Sequence, residues 1–309
     1  MSTMTTPTPP TPRNYTVYRN DLKYKKNRNV DTTKALWDDA RLRDMFEEVD
    51  LDSLDYRLYE CRRSGMRNLD LNNMDLVTFP EISAEYSDNV RCLFLAENDL
   101  EILPDLTAFK RLEILEVGNN GLREMGLLPA SLIELTCRGN HLSRLPDADE
   151  CPRLQRVDCT GNEILEIPRY RSLRSLLCSQ NRLQAIPDLE NLERLVCCDN
   201  RITYLGECSR LRYLDCGQNR LTTLPDYRSL VDLICSNNPL PGIPAYVGVR
   251  YLEIFGTPIR EVPYLPKLEE LFCDRDVRGI STRYEEECNM EGKVHKDRMV
   301  QITFTKKRA

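Results

Sequence analysis

From Met66 onward the apolar residues keep a rhythm too long for one helix or one strand. Four successive segments read LRSLLCSQNRLQAIP from Leu173, LERLVCCDNRITYLG from Leu192, LRYLDCGQNRLTTLP from Leu211 and LVDLICSNNPLPGIP from Leu230, each starting 19 residues after the last. Apolar residues fill positions one, four, six and eleven, and asparagine fills position nine. A fixed period of this length marks a stack of small structural units, each burying its apolar face against its neighbours. Upstream units start at Met66, Val90, Leu112, Leu132 and Leu154, and downstream ones at Val249 and, truncated, Leu268, which makes eleven over residues 66–276.

Each unit opens with alternation that predicts a short strand, its fourth and sixth side chains pointing inward and its third and fifth facing solvent. Asn98, Asn120, Asn140, Asn162, Asn181, Asn200, Asn219 and Asn238 follow at position nine. There the chain turns out of the strand, and a buried amide is expected to bond the turning backbone of its own and the next repeat. Thr257 and Asp276 take this place near the end of the array, where looser stacking is expected. Prolines follow position fourteen, as at Pro104, Pro168, Pro187, Pro225 and Pro244. Proline fixes φ and lacks an N–H, which suits an extended return segment. Nineteen residues leave little room for a helix there, so at most a 3₁₀ turn is expected.

The shape LxxLxCxxNxLxxLPxL resembles the short bacterial-type leucine-rich repeat found in secreted bacterial effectors and in proteins of large DNA viruses. The resemblance covers about two thirds of the chain. It implies an α/β solenoid, a leucine-rich-repeat horseshoe with a parallel concave β-sheet and an extended, polyproline-like convex side. A fold of this kind says little by itself about function.

The ends differ from the middle. Residues 1–30 form a basic, Thr/Pro-rich arm in which Arg13, Arg19, Lys23, Lys25, Lys26 and Arg28 stand against Asp21. Residues 31–65 read as a helical N-terminal cap over the first repeat, with Thr32 or Thr33 as N-cap, an apolar face including Trp37, and Leu54, Leu58 and Cys61 in a second helix ending at Gly65. Residues 277–309 read as a C-terminal cap and basic tail: STRYEEECNMEG as a short helix and RMVQITFTKK as a strand alternating at Val300, Ile302 and Phe304.

Thirteen cysteines raise the question of chemistry. Cys137, Cys159, Cys178, Cys197, Cys216, Cys235 and Cys273 occupy position six, where other units carry Leu71, Leu95, Val117 and Ile254, so they read as small core hydrophobes. Without a visible secretory signal, free thiols in a reducing, cytoplasmic compartment are expected. No CxxC is present, and one face of a ladder supplies a zinc tetrahedron poorly. Cys92 and Cys198, at positions three and seven, are expected to be exposed. The two histidines, His141 and His295, have no cysteine partner in view, and no P-loop, GxSxG or HExxH occurs. No cofactor and no metal are expected. An enzyme using an exposed cysteine is the weakest reading.

Charge sharpens the picture. Residues 1–30 and 292–309 each carry a net +5 and residues 31–64 a net −4, which within a chain of −6 leaves −12 for residues 65–291. An acidic solenoid with basic ends disfavours the solenoid itself as a nucleic-acid surface. On the concave face, positions three, five and seven place Leu177, Val196, Tyr213, Ile234, Tyr251, Phe255 and Phe272 together as a protein-binding patch rimmed by acids. The reading is a non-catalytic protein–protein interaction scaffold. In its sharper form it is a structural component of a larger assembly such as a virus particle. The alternative is a nucleic-acid-associated protein acting through its basic termini. No apolar run approaches the ~20 residues that span a bilayer, so no membrane contact is expected.

Overall fold

A computed structural model describes residues 53–274, Val277 and the strand 301–305. The first element is helix α1 (Leu54–Arg63), where the Ser53 side chain caps the N-terminus by accepting from the Tyr56 N–H at 3.3 Å. Gly65 ends it at φ 87°, a left-handed conformation that costs a residue without Cβ little. Cys61 is buried, and Leu54 and Leu58 pack against the first repeat. Residues 31–52, with Thr32, Thr33 and Trp37, lie outside the described residues, as does the expected STRYEEECNMEG helix.

The repeat strands follow: β1 (Asn68–Asp70), β2 (Cys92–Phe94), β3 (Ile102–Leu103), β4 (Ile114–Glu116), β5 (Glu124–Met125), β6 (Glu134–Thr136), β7 (Arg156–Asp158), β8 (Ser175–Leu177), β9 (Ala185–Ile186), β10 (Arg194–Val196), β11 (Tyr204–Leu205), β12 (Tyr213–Asp215), β13 (Asp232–Ile234), β14 (Tyr251–Glu253) and β15 (Glu270–Asp274). One strand per repeat, eleven in all, builds a parallel sheet, and β16 (Gln301–Thr305) adds a twelfth beside β15. β16 falls within the segment read as a strand, and its register sets Ile302 beside Leu271 and Phe304 beside Cys273. Position four is buried in every repeat strand, from Leu69 to Leu271.

The asparagine ladder is the polar spine of the array. Asn181 Nδ2 donates to the carbonyls of Cys159, Cys178 and Ser179, and its Oδ1 accepts from the Ile164 N–H at 2.9 Å. Asn98, Asn120, Asn140, Asn200, Asn219 and Asn238 repeat this pattern. The bonds join each asparagine to its own and the preceding repeat, not to the next one as the sequence suggested. The equivalent groups of the following repeat are already taken: its position-six carbonyl and position-eleven N–H bond its own asparagine and the one after. Thr257 keeps one bond of the ladder, to the Ile254 carbonyl. Position eight, just before the asparagine, is left-handed in repeat after repeat, at Asn73, Glu97, Asn119, Gly139, Gly161, Gln180, Asp199, Gln218, Asn237 and Gly256.

On the convex side the return segments are extended, with two short parallel pairs, β3–β5 and β9–β11. In each pair the second strand ends at a glycine that replaces the usual proline. Gly126 and Gly206 donate their N–H to Leu103 and Ile186 carbonyls at 2.7 and 2.8 Å, bonds that proline cannot make. Two residues further on, the buried hydroxyls of Tyr170, Tyr227 and Tyr246 donate to carbonyls of the preceding repeat, at Pro146, Gly206 and Pro225. The longest unit, Met66 to Asn89, uses its extra residues for one helical turn, α2 (Ala84–Ser87), which the 19-residue pattern did not foreshadow.

Two stability predictions follow from this packing. Asn181→Ala leaves the buried Ile164 N–H without its acceptor and takes one of two donors from each of the Cys159, Cys178 and Ser179 carbonyls, and is expected to cost about 1–3 kcal/mol in denaturant unfolding. A Cβ on Gly206 would lie 2.4 Å from the Pro187 carbonyl carbon and 2.6 Å from the Asp188 nitrogen. Because both obstacles are backbone, Gly206→Ala is expected to destabilise by about 1–3 kcal/mol. A parent-like melting curve for either variant would contradict the placement of positions nine and fifteen.

Candidate concave binding face

The solvent side of the parallel sheet is written by positions three, five and seven. In register, position five runs Asp158, Leu177, Val196, Asp215, Ile234, Glu253, Phe272. Position three runs Arg156, Ser175, Arg194, Tyr213, Asp232, Tyr251, Glu270 over the same strands. Leu177, Val196, Tyr213, Ile234, Tyr251, Phe255 and Phe272 are all half-buried.

The register separates these seven side chains into groups. Leu177 and Val196 are direct neighbours. Tyr251, Phe255 and Phe272 form an aromatic group, with ring centroids 5.2 Å apart for Tyr251–Phe272 and 6.4 Å for Phe255–Phe272. Ile234 stands between Asp215 and Glu253. Tyr213 lies under the Arg194 guanidinium, 3.9 Å from the ring centroid, a cation–π contact. Glu253 accepts from the Ser236 hydroxyl at 2.9 Å and from the Tyr251 hydroxyl at 3.4 Å. Arg194, Asp232 and Ser236 shape this face but were absent from the sequence-derived patch. Reading positions three and seven in full, and not only their apolar members, brings them out.

Burial raises the pKa of both Asp215 and Asp232; Arg194, Arg212 and Arg250 oppose the shift at Asp232. Two carboxylates on the face are thus partly desolvated, which strengthens their attraction for a cation or a donor.

Cys198 and Cys92 differ from the sequence expectation in different ways. Cys92 is buried, 3% exposed. Its short side chain lies between Asn68 and Ile114 of the adjacent strands, which outreach it. Cys198 is half-buried, and burial followed by the nearby Asp215 charge pushes its thiol pKa up. That is the opposite of what a reactive thiolate requires. The position-six cysteines are free and fully buried, and burial likewise raises the pKa of Cys137, Cys159, Cys178, Cys197, Cys216 and Cys235. Among the described residues, no group of three or more His, Cys, Asp or Glu is arranged to hold a metal ion. Nor is any helix there long and apolar enough to cross a membrane. Arg13, Arg19, Lys23, Lys25, Lys26 and Arg28 of the basic arm lie outside the described residues.

Comparison with known proteins agrees with the repeat fold. A family model described as leucine-rich repeats in two copies matches residues 190–229. Toll-like receptor 2 type-2 of Gallus gallus is 33% identical over 103 residues, 32% of this chain and 13% of the receptor. The type-1 receptor of the same bird is 31% identical over 99 residues, 31% of this chain and 12% of that protein. The chain therefore spans only a small part of these curated relatives. Among solved structures, YopM, a leucine-rich effector protein from Yersinia pestis, superposes with a TM-score of 0.59 at 27% identity, covering 70% of this chain and 73% of that one. YopM from Yersinia enterocolitica WA-314 gives 0.50 at 26%, covering 71% and 62%. The leucine-rich-repeat domain of APL1B, at 20% identity and a TM-score of 0.58, covers 70% of this chain and 78% of that one and shares the fold.

The burial of the thiols has a pH consequence. Cys61, Cys151 and Cys208 are raised from the ordinary 9.0 to about 11. A thiol neutral in the fold but free to ionise once unfolded contributes stability that is whole below pH 9 and is lost as pH rises through the folded value. Denaturant titrations under reducing conditions are expected to show stability falling between pH 9 and about 11. A flat profile over that window would show that the thiols are not buried in solution.

Proposed function

For this chain, a leucine-rich-repeat protein of the short-repeat kind, we propose the role of a non-catalytic scaffold that binds another protein along its concave sheet. The observation that carries the proposal is the half-buried, register-locked array of Leu177, Val196, Ile234 and the Tyr251–Phe255–Phe272 group, interleaved with Asp215, Glu253 and Asp232. Backbone ladders on both sides hold each strand, so the surface is preformed and loses little conformational entropy on binding. Apolar anchors rimmed by charge are what protein interfaces concentrate. The net −12 of residues 65–291 weighs against nucleic acid on this face and leaves the basic ends as the only candidates for it. Membership in a larger assembly, such as a virus particle, is the finer form of the same reading. In it the arm (1–30), cap (31–65), solenoid (66–276) and tail (277–309) share the contacts.

Val196 and Ile234 flank Asp215 in register, so charge-introducing variants should carry the opposite sign to avoid a like-charge cluster. Val196→Arg with Ile234→Arg is expected to keep the circular-dichroism spectrum and abolish capture of the principal protein partner from the native source. Unchanged capture by the folded variant would exclude the concave face as the binding site. Loss of the partner from the parent protein at moderate salt alone would point to the charged ends instead.

A further inference from the structure

Position ten, the residue after the ladder asparagine in repeats two to nine and after Met74 in the first, forms a second row along the edge where the chain leaves the sheet. From Asp99 to Arg220, the position-ten N–H of every repeat donates to the position-eleven carbonyl of the preceding repeat, at 2.9–3.0 Å. The row is therefore rigid, with side chains about one inter-strand step of ~4.8 Å apart. Its charged members begin with Asp75, at a left-handed φ of 50°, and Asp99, and end with Arg201 and Arg220 ahead of Pro239; these four are exposed and without an ion pair among the described residues. Its middle pairs within the chain: Glu163 lies 3.8 Å from His141 Nδ1 and 3.0 Å from Arg182. Unmatched acid at one end and unmatched base at the other make the row complementary to itself when reversed.

We propose that this edge binds the same edge of a second copy of the chain across a two-fold axis, an isologous contact. With the axis between His141 and Glu163, Asp99 faces Arg201 of the other copy, Asp75 faces Arg220, and His141 faces Glu163, each pair occurring twice. No shifted register matches both free aspartates with both free arginines. Position eight adds one opposing term, Glu97 against Asp199; the rest of that row is Asn, Gln and Gly. A polyanion is a poorer occupant, because it would meet the arginines and be repelled by Asp75, Glu97 and Asp99. Exposed ion pairs are individually weak and screened by salt, so the dimer is a weak, salt-dependent one.

The test is sedimentation equilibrium of the full chain, with dimer expected at roughly 50 mM salt and monomer at roughly 500 mM. At the lower salt, Arg201→Glu is expected to weaken association about tenfold or more. Adding Asp99→Arg to the same chain should restore it, whereas adding Asp75→Arg should not. Glu97→Gln is expected to tighten it. All positions are exposed, and circular dichroism checks the fold of each variant. A monomer at low salt, a dimer indifferent to Arg201→Glu, or a complex formed only when polyglutamate is added would overturn the proposal.

Discussion

A core one side chain deep has to accept a backbone that turns out of the sheet once in every repeat. At that turn N–H and C=O groups point into a dry interior, where leaving them unbonded would cost more than any single apolar contact returns. The asparagine ladder resolves this. One amide serves three carbonyls and at least one N–H, and because it leans back onto the preceding repeat it also welds neighbours together. Repeat spacing, strand register and the conformation at position eight all follow from placing that amide identically each time.

The rest of the solenoid closes around the same constraint. Position six shares its carbonyl with two asparagines, and its side chain fills a narrow space that cysteine, valine or leucine can occupy. Burial in this setting raises the thiol pKa of Cys137, Cys159, Cys178, Cys197, Cys216 and Cys235, which disfavours the thiolate. On the convex side a second polar problem is met at position fifteen by proline or, at Gly126 and Gly206, by glycine. Proline removes the N–H, while glycine keeps it and lets it bond. Tyrosine hydroxyls then bond the carbonyls nearby.

A frame built this way leaves two sets of side chains free to vary. Positions three, five and seven face the concavity at fixed spacing and carry the mixed aromatic, aliphatic and acidic surface of repeats six to eleven. Position ten lines one edge and carries charge that changes sign along the array. Neither set is needed to hold the fold, so both are open to recognition, and the backbone ladders make each a rigid ruler with the pitch of the sheet.

The period, the parallel sheet, the buried cysteines and the inward asparagines were legible in the amino-acid order. They repeat, and a repeated one-dimensional pattern maps directly onto a stack. The concave residues were legible as positions for the same reason. What contacts they make was not: Arg194 over Tyr213, Ser236 on Glu253 and the acid on either side of Ile234 depend on which side chains the register sets side by side. The backward lean of the asparagines, the burial of Cys92 between longer neighbours and the helical turn in the longest unit were likewise decided only in the fold. Each depends on what an adjacent repeat has already bonded or already filled, and no repeat carries that information alone.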